Sequence, residues 1–235
     1  MSDTDEATRD EVQQWREAHA RVVGLTTGLS PDRASTPVPA CPDWSVKDLL
    51  AHVVGVAADV VGGDEPDDHN EAWTQAQVDA RRDADVADLL AEWAGSAERL
   101  VAWMGEHGTR PLNDVVIHEQ DLRGALGEPG ARDTTGLRTI RDRMAARFST
   151  AAEALPPLLM VEHRDDDVEP WHHVTRGSEN DAAVVLSADG FELFRALTSR
   201  RTAEQVRAMT VRGDVTPYLD ALAGLGPLPD RPLPE

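Results

Sequence analysis

Apolar residues recur at helical spacing through every long segment up to Leu155, and that pattern stops at Pro156-Pro157. The break constrains the fold strongly, because a period of about 3.6 residues and a period of 2 cannot share one element. Before it, Val12, Trp15, His19, Val22 and Leu29 form one stripe, which predicts a helix from about Asp5 to Leu29. The four prolines of "SPDRASTPVPACPDW" make residues 30–44 an irregular connection. Ser45 then opens a second helix. It offers an N-cap hydroxyl, and Asp48 three residues on meets the exposed amides of the first turn. Val46, Leu49, Leu50, Val53, Ala57 and Val60 form its inner face, which fades at "GGDEPDD", residues 62–68.

"HNEAWTQAQVDARR" reads as a shorter helix and Asp85 to Gly105 as a long one, with Val86, Leu89, Leu90, Trp93, Leu100 and Met104 inward. Residues 112–126 form the next, ended by "GEPG". Leu137, Ile140, Met144, Phe148, Ala152 and Leu155 mark the last long one. Residues 1–155 are therefore expected to be a helical bundle. Beyond the prolines, "LLMVEH" and "AAVVLSA" are short strand-like runs, and "DDDVEPWHHV" reads as a solvated turn entering another strand. "DGFELFRALTS" and "TAEQVRAM" return to helical spacing, with Thr202 and Gln205 in capping-box positions. Residues 156–235 are predicted to be a small α+β domain.

The formal net charge of −20 argues against binding nucleic acid or an anionic membrane through a basic field. No apolar run approaches the ~20 residues that span a bilayer, and "MSDTDEATRD" lacks the basic-then-apolar order of a secretory signal, so a cytoplasmic location is expected. The single cysteine, Cys41, excludes an intramolecular disulfide and a Cys-rich zinc motif. It precedes Pro42 in the connection and is expected to be a small buried residue with no further role.

Chemistry concentrates in "NDVVIHEQDLRGALG", residues 113–127. Residues four apart share a helix face, so Asp114 and His118 project toward a common centre, and Asp121 follows one turn later. Imidazole nitrogen with carboxylate oxygen suits a borderline divalent cation, but two ligands hold such an ion weakly. His52, at the edge of another apolar stripe, is the candidate third. Three ligands would leave an open position, the arrangement of catalytic rather than structural sites. Taken singly, a histidine at the border of an apolar helix face is more often packed and hydrogen-bonded than metal-bound. Asp121 fits either a carboxylate that orients a ligating imidazole or an ordinary solvated one. The adjacent His172 and His173 of "WHHV" would face opposite sides of a strand and cannot easily share an ion. Trp44 is expected to staple the connection onto the second helix, and Trp73, Trp93 and Trp103 to fill or edge the bundle.

"PACPDWSVKDLLAHVVG", "DVVIHEQDLRGALGEPG", "DGFELFRALTSRRTAEQV" and "GLGPLPDRPLP", in that order, resemble the mycothiol-dependent maleylpyruvate isomerase family. The resemblance covers nearly the whole chain. It implies a DinB-like metal-binding four-helix bundle over residues 1–155 and a sterol-carrier-like α+β domain over 156–235. It places metal ligands on His52, Asp114 and His118; the family's isomerase has glutamate where Asp114 stands. It also places an active-site arginine on Arg200, with Ser199 where the family has glycine. The implied cofactors are a divalent metal, zinc foremost, and mycothiol or a similar thiol as cosubstrate. The implied reaction is thiol-assisted isomerisation of, or transfer to, a small electrophile, by a monomer or weak homodimer. Two rivals stand beside it: a hydrolase whose ion activates water, and a metal- or ligand-binding module without chemistry.

Overall fold

A computed structural model describes residues 3–66, 70–163 and 170–235. The "DDD" turn and the residues around it, 164–169, lie outside the described residues, as do residues 67–69, which take in the last two of "GGDEPDD" and the first of "HNEAWTQAQVDARR". The chain divides into two compact units, residues 1–130 with 234–235, and residues 131–233.

The first unit is mostly helical. Its long helices are α1 (Asp3–Thr26), α3 (Val46–Gly62), α5 (Val86–His107) and α6 (Pro111–Leu126). α3 packs on α5 and α6, α1 packs on the same two, and the shorter α4 (Glu71–Ala80) lies on α3. The core between them holds Trp15, Val22, Leu49, Leu50, Leu89, Trp93, Leu100, Met104 and Leu112, each at most 2% exposed. α3 is buried on nearly every side, as its run of valines and alanines requires. It starts where the capping signal places it. The Ser45 Oγ accepts from the Asp48 N–H at 3.2 Å, and Asp48 Oδ2 accepts from the Ser45 N–H at 3.0 Å.

Two local expectations change. α1 ends at Thr26, ahead of Leu29, because Gly28 adopts φ 73° and turns the chain out of the helix. Residues 30–44 are not irregular. Ser30 caps the single-turn α2 (Pro31–Ala34), and β1 (Pro37–Val38) pairs antiparallel with β2 (Cys41–Ser45). The prolines fit this order, since Pro31 occupies a first helical turn and the others lie in or beside a two-stranded ribbon whose edges need no ladder donor.

The second unit is α+β. Its sheet has the order β4-β3-β5-β6, where β3 is Leu158–Glu162, β4 His172–Val174, β5 Val184–Ala188 and β6 Thr210–Arg212. β3 and β5 are parallel; the outer strands run antiparallel to their neighbours. The helices are α7 (Thr135–Ala151), α8 (Gly190–Leu197), α9 (Ala203–Ala208) and α10 (Leu219–Leu222). α7 packs on α8, so the division between units falls after Gly130, ahead of the boundary expected at residue 155. Its buried Arg141 reinforces that placement by donating to Glu162 of β3 at 2.6 Å. β6 carries no sequence signal because three residues are too few to show a period. No described helix is long and apolar enough to cross a membrane.

Candidate metal centre

His52 lies on α3, 4% exposed, where packing against α4 fixes its ring. Its Nδ1 is 2.7 Å from Gln77 Oε1 on α4, while Gln77 Nε2 donates to Asp59 Oδ2 at 2.7 Å. An amide held that way presents its oxygen to the imidazole. Nδ1 therefore carries the proton, and Nε2 is the ring's candidate ligand atom. Gly55 makes this approach possible, since a Cβ there would lie 2.5 Å from Gln77 Cβ.

Asp114 and His118 stand one turn apart on α6. Pro111 sits in the first turn of that helix, and Gly127, at φ 66°, ends it. The His118 ring meets that of His52 edge-on, with centroids 5.1 Å apart and planes at 81°. One donor atom each from His52, Asp114 and His118 lies within 4.8 Å of the others. The buried Asp121 accepts from His118 Nδ1 at 3.1 Å, so this imidazole too is anchored at Nδ1 and offers Nε2. Two anchored imidazoles and a carboxylate at this spacing form a donor set that fits a divalent cation of the zinc type.

Burial works against a charge on His118, yet hydrogen bonds from Asp121 and Cys41 outweigh it and push the imidazole up to about 9. A metal ion arriving at His118 therefore displaces a proton. β2 covers the same place. Trp44 sets its ring 5.1 Å from that of His52 and donates from Nε1 to Gln75 Oε1 at 3.2 Å, while Cys41 lies beside His118. The thiol thus differs from the expectation in its exposure. It is half-buried and shares a second potential donor group with His118 and Asp121. Gln77 and Asp59 carry no motif in the sequence, since each depends on how a neighbouring element packs.

Among the described residues, those two groups are the ones whose His, Cys, Asp and Glu donors gather closely enough to hold an ion. His172 and His173 join neither: His172 Nε2 lies 3.1 Å from Glu179 Oε1, and His173 Nε2 is 2.7 Å from Ser149 Oγ. Arg200 lies in the second unit, 7% exposed, with Nη1 donating to the Thr198 carbonyl at 2.7 Å. Ser199 before it adopts φ 61°, the left-handed conformation that glycine favours. Its Oγ donates to the Leu222 carbonyl at 2.8 Å and accepts from the Leu225 N–H at 3.1 Å, which offsets the strain.

Residues 15–110 match the family described as Mycothiol maleylpyruvate isomerase N-terminal domain. No curated protein and no solved structure gives a significant match. The matched segment contains Cys41, Trp44, His52 and Gln77, and Asp114 and His118 follow directly after it. Over this segment, under half of its length, the chain is similar to the N-terminal domain of the mycothiol maleylpyruvate isomerase family.

Proposed function

We propose that His52, Asp114 and His118 hold a divalent cation, zinc foremost, at which a low-molecular-weight thiol such as mycothiol is activated for isomerisation of, or transfer to, a small electrophile. One observation carries the reading: three donors from two helices lie within 4.8 Å of one another. Gln77 and Asp121 support it, because an imidazole fixed at Nδ1 keeps Nε2 aimed. When bound, an ion with three side-chain ligands supplies an open position at which a thiol loses its proton at neutral pH. Asp114 contributes the negative charge that a second anionic ligand, the thiolate, would complete against a dication. On this reading the four long helices are a DinB-like four-helix bundle, and the second unit corresponds to a sterol-carrier-like domain. Arg200 is assigned the carboxylate of an acidic substrate, which a guanidinium grips through two parallel hydrogen bonds.

Elemental analysis and thiol-binding calorimetry of the purified chain test this reading. Wild type should hold one equivalent of metal and bind the thiol only when loaded, and His52→Ala and His118→Ala should do neither. Arg200→Ala should keep its metal and lose turnover of carboxylate substrates. Turnover that proceeds without any thiol would mark a hydrolase instead.

A further inference from the structure

The closeness of donors seen for His52, Asp114 and His118 occurs a second time. Cys41, His118 and Asp121 each offer one donor atom, and these atoms also lie within 4.8 Å of one another. The two groups meet only at His118. Backbone order brings the thiol there. Cys41 pairs with Val38 in the β1–β2 ribbon, Val38 is fully buried, and β2 runs straight into Ser45, the cap of the helix that carries His52. Asp121 is buried on α6 and accepts from His118 Nδ1. A carboxylate has two oxygens and about four lone-pair sites, so that bond leaves it able to meet a cation as well.

We propose that Cys41, His118 and Asp121 form a second metal position, suited to a soft, thiolate-preferring divalent cation such as cadmium, and that filling it empties the position at His52 and Asp114. The second position stands on its own donors; its antagonism to the first rests on the His52/Asp114/His118 reading. The two donor sets differ in kind. Two imidazoles and a carboxylate contain nothing softer than nitrogen, whereas the second group has sulfur in place of one nitrogen. A softer cation gains most from that difference, because thiolate is the side-chain donor that selects soft ions. Charge favours it too, since a thiolate and a carboxylate together neutralise a dication. On binding, the Cys41 thiol gives its proton to solvent, and no redox step is involved. Cys41 is half-buried rather than enclosed, so a cation can reach the sulfur. Exclusion follows from the shared ring. With Nδ1 donating to Asp121, a neutral His118 has one lone pair left, and one lone pair serves one ion.

Zinc and cadmium added to the full chain read the two positions separately, because a thiolate on cadmium gives an ultraviolet charge-transfer band that imidazole and carboxylate do not. Cys41 is the only cysteine, so the band reports it alone. Zinc-loaded wild type should take up one equivalent of cadmium with the band and lose its zinc one for one, by elemental analysis after gel filtration. His52→Ala should hold no zinc yet still take up one equivalent of cadmium with the band. Cys41→Ser should hold zinc at the wild-type level and show no band. Cadmium uptake by wild type without the band overturns the second position, as does loss of the band in His52→Ala. A band that survives in His118→Ala at unchanged affinity marks a sulfur acting by itself and overturns it equally. Cadmium bound beside retained zinc overturns the antagonism alone. Wild type that holds no zinc, with the band still present in His52→Ala, removes the triad and leaves the second position standing.

Discussion

The chain carries two pairs of histidines, and their arrangements are opposite. His52 and His118 belong to different helices, yet their rings meet at 5.1 Å and each is held at Nδ1 by a neighbouring acceptor. His172 and His173 are adjacent in β4, where the pleat sends neighbours to opposite faces, and each has Nε2 engaged, by Glu179 and by Ser149. Proximity along the chain therefore scatters one pair, and packing gathers the other. The difference lies in which nitrogen the surroundings occupy. An imidazole tied at Nδ1 points its remaining lone pair outward as a ligand, whereas one tied at Nε2 has used the nitrogen that reaches furthest from its own backbone.

The largest expected effect breaks the contrast outright. His52→Ala or His118→Ala should abolish bound metal by elemental analysis, while His172→Ala and His173→Ala should leave it at the wild-type level. Loss of metal in either strand variant would mean that the pairs are not distinct. Removing the Nδ1 partners sharpens the argument. Asp121→Asn and Gln77→Leu should each weaken metal affinity roughly 10–100-fold in a chelator competition, the usual effect of releasing a ligand from its outer partner. Gly55→Ala should act through the same amide, by forcing α4 away from α3, and should also cost about 1–3 kcal/mol in urea unfolding.

Protonation gives a smaller, finer test. At His173 burial dominates and lowers the imidazole below its ordinary value, with Asp142 opposing, whereas at His118 the hydrogen bonds of Asp121 and Cys41 overcome burial and raise it to about 9. The signs differ accordingly. The raised His118 stabilises the metal-free fold fully below pH 6.5, and that contribution is lost as pH rises through about 9. The depressed His173 costs stability as pH falls below 6.5. Denaturation midpoints of metal-free wild type and His118→Gln should therefore converge between pH 6.5 and about 9. A pH-independent gap would place the proton elsewhere.

The shared face of Asp114 and His118 was legible in the sequence because a four-residue interval on a helix is itself a geometric statement, so the two needed only α6 to form. His52 required the added step of a family motif, since nothing in its own stretch says which helix it will face. Gln77 was not legible. Its role depends on the missing Cβ of Gly55, which lets two helices approach, and a glutamine on a polar helix is otherwise unremarked. Cys41 was misjudged for a related reason. Four prolines suppressed any strand signal, yet β1 and β2 are a ribbon short enough to tolerate them. The placement of α7 follows the same logic: its apolar stripe was plain, but a stripe does not name its partner, and here that partner is α8.

Gln77 bridges His52 and Asp59, two positions seven residues apart on one side of α3. A single amide thus acts as an index mark that sets how far α4 has slid along its neighbour. Slippage by one turn would break both bonds at once, releasing the imidazole and stranding the carboxylate. Any change in the link ahead of α4 must therefore return that amide to its mark if the imidazole is to keep its alignment.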